Sequence, residues 1–320
     1  MDDCSAKTAT TAIAGMPPNW FHKRLLSVNT LMQAFIDSNC DDKQVKLNCR
    51  NVDKNGNPER EYTVLQVLRG LESSLRTKSD SWVTSFLIFK GEQHGLNLLV
   101  RFLTFRLYVS TKKQQQQRQL GSAGEGVHLC LLCLRIIMGR QFEQVLVAKK
   151  KKPGKEGQGE VTSSSQASSP ALNAIALIIA HPNALLSAKS IALELLATVC
   201  VMNSGAHHQL VLAAFEHVQR EMAEERRFQS LVQLFTTSAP FHRRLSVSCM
   251  QFINFVVNSP FNPPDLNLRV CLQVEFRQLG LDQAYLKKRL QNCSSADQQG
   301  HIQAYLDNII DVGALLGQSG

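Results

Sequence analysis

The chain has 320 residues, 44% of them apolar, and a formal net charge of +9. That supplies a sizeable core, yet no stretch reaches ~18 continuous apolar residues, so a membrane-spanning helix is excluded. The start M-D-D-C-S-A-K-T lacks the basic head and apolar run of a signal peptide, and Asp2 stands where N-myristoylation needs glycine.

Residues 1–16 are small and polar without periodicity, and are expected to be disordered. After Pro17-Pro18, the residues Phe21, Leu25, Val28, Leu31, Met32, Phe35 and Ile36 recur at helical spacing. They predict a helix whose apolar face docks on something. Cys40–Pro58 reads as a polar connection with a turn at D-K-N-G-N-P, so 17–60 is one N-terminal helix and its connection. Its acidic start lacks the later ligands of a calcium loop.

Glu61–Arg76 predicts a helix with Val64, Leu65, Val67, Leu68, Leu71 and Leu75 apolar. Ser81–Leu87 opens a short helix, Gly95–Leu103 a further one, and Thr111–Gly126 reads as a loop. Val127–Met138 (V-H-L-C-L-L-C-L-R-I-I-M) is then apolar almost throughout. Residues 148–170 break the pattern with A-K-K-K-K-P-G-K-E-G-Q-G-E-V-T-S-S-S-Q-A-S-S-P. Such a segment cannot bury enough surface to order itself and is expected to be a disordered basic insertion. From Ala171 to Leu316 helical patterns resume. The breaks fall at His181-Pro182-Asn183, Asn203-Ser204-Gly205, Ser238-Ala239-Pro240 and Ser259–Pro264, and Gly280 fits a helix C-cap.

Ile191–Met202 (I-A-L-E-L-L-A-T-V-C-V-M) holds one charge and no Gly or Pro, which fits a helix buried nearly all round. Val247–Val257 and His301–Val312 share its texture, as does Val127–Met138. Buried helices alternating with amphipathic ones predict an all-α helical-repeat solenoid, with these four helices adjacent along a concave face.

The chemistry these residues offer is that of binding. No G-x-G-x-x-G, Walker, H-E-x-x-H or G-x-S-x-G motif occurs, so neither an enzyme nor a cofactor is expected. Cys130-x-x-Cys133 with His128 lies inside a buried helical pattern and lacks a second cysteine pair, so no metal is expected. The nine scattered cysteines point to a reducing compartment. Lys149–Lys152 with Lys155, and Lys112, Lys113 and Arg118, sit among Gly, Gln and Ser rather than aromatics. They read as solvated loops rather than a nucleic-acid face, with weak attraction to anionic lipid as the alternative. Glu194 reads as a paired structural charge. The amides of Gln251, Asn254, Gln303 and Asn308 have two open readings: bonds to a bound peptide's backbone, or bonds to their own neighbours.

The stretches H-L-C-L-L-C-L-R-I-I-M (128–138), A-L-E-L-L-A-T-V-C (192–200), C-M-Q-F-I-N-F-V-V (249–257), 266–281 and 302–316, with L-E-S-S-L-R-T-K-S-D-S-W-V (71–83), resemble the regulatory N-terminal region of formins. Among these the resemblance is to the formin-like (FRL) branch of the diaphanous-related formins, over roughly residues 60–316. It implies a non-catalytic, armadillo-like GTPase-binding/FH3 domain over 61–316. The concave face of such a domain binds an autoregulatory helix from the formin's C-terminal segment. A Rho-family GTPase (Rac or Cdc type) releases that helix, so control of actin is indirect.

Carried over by motif, the autoregulatory groove comprises Glu194, Thr198, Val201, Gln251 and Asn254, and the GTPase-facing turn Ser73, Arg76, Thr77 and Lys78. Thr198 stands where the family prefers Ala. An alanine there is expected to tighten binding by removing a hydroxyl left unpaired under a docked helix. Gly139 replaces a usual Asn, Ser73 replaces an apolar residue, and the 148–170 segment replaces the family's M-N-Y-Q-Y-G-F-N continuation. The further N-terminal segment that contributes to GTPase binding in this branch has only the Pro17–Ile36 region to stand for it. No FH1 or FH2 follows, so the chain alone is not expected to nucleate actin. A cytoplasmic, cytoskeleton-associated or cortical location is implied. The alternative is a generic armadillo-like adaptor that no longer binds formin ligands.

Overall fold

The computed structural model describes residues 13–27, 62–88, 94–112, 121–141, 169–202, 205–237, 242–259, 264–311 and 313. Among these residues there are helices and turns and no strand, as the all-α, armadillo-like reading expects. The chain divides into two units, Met1–Ala148 and Lys149–Gly320. The division falls at the start of the basic 148–170 segment.

In the first unit, α1 covers helical residues 18–27. It is followed by α2 (Val64–Thr77), α3 (Asp80–Leu87), α4 (His94–Lys112) and α5 (Gly121–Arg140). A capping box starts α2. Gln66 N donates to Thr63 Oγ1 at 3.3 Å, and Thr63 N donates to Gln66 Oε1 at 2.9 Å, which satisfies two otherwise orphaned donors. The helix buries Val67, Leu68, Leu71 and Leu75 against α5. The first two positions of the apolar pattern differ: Val64 and Leu65 stay half-buried.

The loop predicted over 111–126 is shorter than expected, because α4 runs to Lys112 and α5 starts at Gly121. Close packing explains the early start: Gly126 sits against Phe102 and Leu65, where a Cβ would touch the Phe102 ring at 3.3 Å. Cys130 and Cys133 are fully buried and donate to Leu99 O (3.4 Å) and Leu68 O (3.9 Å) on two different helices. Burial pushes both thiols up, which makes them packing groups rather than nucleophiles.

Residues 13–16, expected to be disordered, are ordered. Ile13 is fully buried over α2, where Gly70 leaves a notch that any Cβ would close, and Ser74 Oγ donates to Ala14 O at 3.0 Å. An apolar residue alone in a polar segment shows no periodicity, so only the notch reveals its role. Of the apolar pattern, Phe21 and Leu25 on α1 are fully buried. Phe21 meets Trp82 edge-on at 5.7 Å, and His22 stacks on Phe86 at 5.2 Å. Val28, Leu31, Met32, Phe35 and Ile36 lie outside the described residues.

The second unit comprises α6 (Pro170–Ala180), α7 (Leu186–Val201), α8 (Gly205–Glu221), α9 (Gln229–Thr237), α10 (Arg243–Asn258), α11 (Leu266–Gln278), α12 (Gln283–Asn292) and α13 (Ala296–Asp307). Ser169 and Pro170, read as the end of the insertion, instead form the N-cap and first turn of α6, with Ser169 Oγ accepting from Leu172 N. The rest of the insertion lies outside the described residues. α7 is enclosed by α6, α8 and α10, while α10 lies between α7 and α13. Three of the four expected inner helices therefore form a ladder within this unit, α7–α10–α13. The fourth, α5, belongs to the first unit.

Two helix ends depart from the sequence reading. The chain breaks between α8 and α9 without Gly or Pro, at Ala223 (φ 51°) and Phe228 (φ 66°). Phe228 is held in that conformation by burial between Phe215 (4.7 Å) and Phe276 (4.9 Å). The last helix ends at Asp307 rather than Val312, because Gln273 of α11 takes the exiting chain: its side chain donates to Asn308 O at 2.8 Å and accepts from Ile310 N at 3.0 Å. Gly280, at φ 101°, follows α11 as expected of a C-cap glycine.

Candidate interaction faces

From Ala188 to Cys200 every residue of α7 is buried except Glu194 and Thr198. Thr198 is exposed, and Glu194 and Val201 are half-buried. Spacings of four and three residues set these side chains on one narrow line along the helix. On the neighbouring α10, Arg244 is exposed and Val247, Gln251, Phe255 and Asn258 are half-buried, again at helical spacing. The two lines form one accessible strip above a closed apolar core.

Its electrostatics are internal. Arg244 Nη2 donates to both carboxylate oxygens of Glu194, at 3.0 and 3.2 Å, and Nε donates to Oε1 at 3.1 Å. This fork ties α10 to α7 and gives Glu194 the paired role read from its context. Thr198 Oγ1 donates to Glu194 O at 2.9 Å, so the hydroxyl already has an acceptor. The expectation that removing it relieves an unpaired group is therefore corrected. Asn254 differs from the rest of the set: it is 8% exposed and its Nδ2 donates to His301 O on α13 at 2.7 Å. Its amide joins two inner helices, while Gln251 remains accessible on the strip. Gln303 donates to Asp307 Oδ1 at 2.6 Å and Asn308 to Ala304 O at 2.8 Å, so both amides bond their own helix. Arg244 was missed from sequence; an arginine just after the Ala239-Pro240 break, on the same face as Gln251, was the available signal.

In the first unit, Ser73, Arg76, Thr77 and Lys78 lie together at the C-terminal end of α2. Arg76 and Thr77 are exposed, and Ser73 and Lys78 are half-buried. Thr77 Oγ1 donates to Ser73 O at 2.8 Å, and Lys78 N closes the helix on Ser74 O at 2.9 Å. Arg76 pairs with Glu72 one turn back, which raises its pKa further. The result is a polar, cationic helix end open to a partner. Gly139 sits near the end of α5, and a Cβ there would meet nothing within 4 Å. Among the described residues no helix is long and apolar enough to cross a membrane.

The sequence model of the Diaphanous FH3 Domain family matches residues 208–320. Formin-like protein 1 of Homo sapiens is 34% identical over 301 residues, covering 78% of this chain and 24% of its own length. Formin-like protein 2 of Homo sapiens is 33% identical over 308 residues, covering 78% of this chain and 26% of its own. The Formin-like protein of Drosophila melanogaster is 36% identical over 200 residues, covering 62% and 15%. The chain thus spans about a quarter of the length of the curated human relatives it matches. An all-helical fold and these matches lead to one assignment: the chain carries a diaphanous-related formin FH3 region of the formin-like branch.

Proposed function

We propose that the chain is a non-catalytic regulatory module of a formin. Its α7–α10 strip takes an amphipathic autoregulatory helix from a formin C-terminal segment. Its α2 end engages a GTP-loaded Rho-family GTPase of the Rac or Cdc type. Opposed binding of the two ligands controls actin filament assembly, and the coupling between them is reciprocal by linkage.

The observation that carries this reading is the single accessible line of Glu194, Thr198 and Val201 on a helix otherwise buried from Ala188 to Cys200. Two accessible helical lines side by side above an apolar core are the kind of face on which an amphipathic helix docks. Thr198 lies at its middle. A carboxylate placed there is desolvated when an apolar helix docks, at a cost of several kcal/mol (~2–5) if unpaired.

The test is calorimetric titration of a formin C-terminal autoregulatory peptide into the chain and into Thr198→Asp, with thermal melts of both. Loss of binding with an unchanged melt is expected. A Thr198→Asp chain that binds like wild type removes the groove from α7. A wild-type chain that binds neither the peptide nor any GTP-loaded Rho-family member leaves the adaptor reading in its place.

A further inference from the structure

The turn between α2 and α3 contains only Lys78 and Ser79 and is held from a third helix. At the end of α5, Arg140 Nη1 donates to Leu75 O at 2.6 Å, one of the last carbonyls of α2. Its Nε donates to Asp80 Oδ1 at 2.8 Å, in the first turn of α3, and Nη2 also contacts that oxygen. The next residue continues the clamp: Gln141 Nε2 donates to Asp80 O at 3.3 Å and to Thr84 Oγ1. One guanidinium therefore bridges the end of one helix and the start of the next, across 65 and 60 residues of sequence.

The chemistry suits the task. A helix C-terminus presents unpaired carbonyls and a partial negative charge, and an arginine placed there answers both. The planar fork holds two acceptors in a fixed geometry, which the rotatable ammonium of a lysine does not. The Arg140 side chain is 25% exposed and Asp80 75%, so the clamp is anchored on its Arg140 side and open to solvent on the other. Ser73, Arg76 and Thr77 lie on the last turn of α2, from which Leu75 O is taken by Arg140, and Lys78 is in the clamped turn itself. The end of α5 thus sets the direction in which the candidate GTPase face points.

We propose that Arg140, with Asp80, is a positioning residue for that face: it pre-orders the α2–α3 turn so that Arg76, Thr77 and Lys78 meet the GTPase already in register. The inference rests on the GTPase reading given above, and the experiment separates the two. Rac, Cdc-type and Rho proteins loaded with a non-hydrolysable GTP analogue are titrated against the wild-type chain, Arg140→Ala, Arg140→Lys, Asp80→Ala and Arg76→Glu. Amide hydrogen exchange is followed at residues 76–81.

Arg140→Ala is expected to weaken binding about tenfold through lost pre-organisation, with Arg140→Lys in between. Exchange at Lys78 and Ser79 speeds up while the middle of α2 is unchanged, and Tm falls by about 3 °C or less. Asp80 is exposed, so Asp80→Ala repeats the experiment should Arg140→Ala fail to fold. Unchanged affinity in Arg140→Ala or Asp80→Ala, while Arg76→Glu abolishes binding, overturns the positioning role and leaves the GTPase face standing. Unchanged exchange at residues 78–80 overturns the clamp. Binding that survives Arg76→Glu as well, or a wild type that binds no GTPase, overturns the GTPase reading and this inference with it.

Discussion

The α7 and α13 helices look alike in sequence, and the fold treats them differently. Ile191–Met202 and His301–Val312 both read as inner helices. α7 has neighbours on three sides and buries everything from Ala188 to Cys200 except two residues on one line. α13 packs on α10 and α12 and buries only Gln298, Ile302 and Tyr305. Its Gln303, Ala304 and Asp307 are exposed. The difference shows where specificity can arise. A helix enclosed on three sides has one accessible line, so the identity of each residue on that line matters. A helix with a broad open face distributes the same role over many tolerant positions.

The largest effect should come from cutting into each core. Leu196 and Ile302 are both fully buried. Leu196→Ala should cost about 4 kcal/mol and Ile302→Ala about 2 kcal/mol, since a void among four helices cannot collapse and one beside an open face can. Equal losses in urea unfolding would break the comparison.

The enclosure of α7 extends to a lysine. Lys189 is 7% exposed, donates to Ile179 O at 2.9 Å, and burial brings its pKa down to about 8. Its unfolded value is about 10.4, so the folded state releases this proton first and Lys189 favours folding increasingly as pH rises from about 8 to about 10. Buried Cys130, Cys133, Cys200 and Cys249 act oppositely, because burial raises their thiol pKa and only the unfolded chain ionises them in that range. The Lys189 contribution is therefore read against Lys189→Met. The stability difference, wild type minus variant, should grow by about 2 kcal/mol between about pH 7.5 and 9.5. A flat difference would mean that water reaches the ammonium and α7 is less enclosed than described.

A smaller effect marks the link between α10 and α13. Asn254→Ala should cost about 1 kcal/mol, because it frees His301 O, although Asn254 Oδ1 itself has no partner. Amide exchange should accelerate in 296–307 and not in 186–201. Acceleration in both would join the two helices into one cooperative unit and blunt the contrast between them.

The smallest effect lies on the accessible line. Thr198→Ala should change stability by less than about 0.5 kcal/mol, as an exposed residue whose hydroxyl bonds its own helix. The same bond means that peptide affinity should shift by less than about threefold, a change worth about 0.6 kcal/mol. A large gain in affinity would show that the hydroxyl obstructs the ligand, as the family's preference for alanine suggests.

Much of this architecture is local and therefore legible in the chain. Apolar spacing at three and four residues marked α2, and near-continuous apolar runs marked α7 and α10. Pro182 and Gly280 marked two of the breaks, because a proline ring and a positive φ act on their own residue. The choice of Glu194, Thr198 and Val201 rests on the formin resemblance, and helical periodicity adds that the three share one face. The tertiary structure decided whatever needs a partner far along the chain. Phe228 takes a positive φ only because Phe215 and Phe276 enclose it. Ile13 orders only because Gly70 leaves space. Arg244 finds Glu194 across 50 residues, Asn254 finds His301 across 47, and Arg140 finds Leu75 across 65. Sequence spacing encodes which face a side chain occupies on its own helix. Which helix stands opposite is set by the joint packing of all of them, and the hydrogen bonds and ion pairs that position the candidate faces depend on that choice.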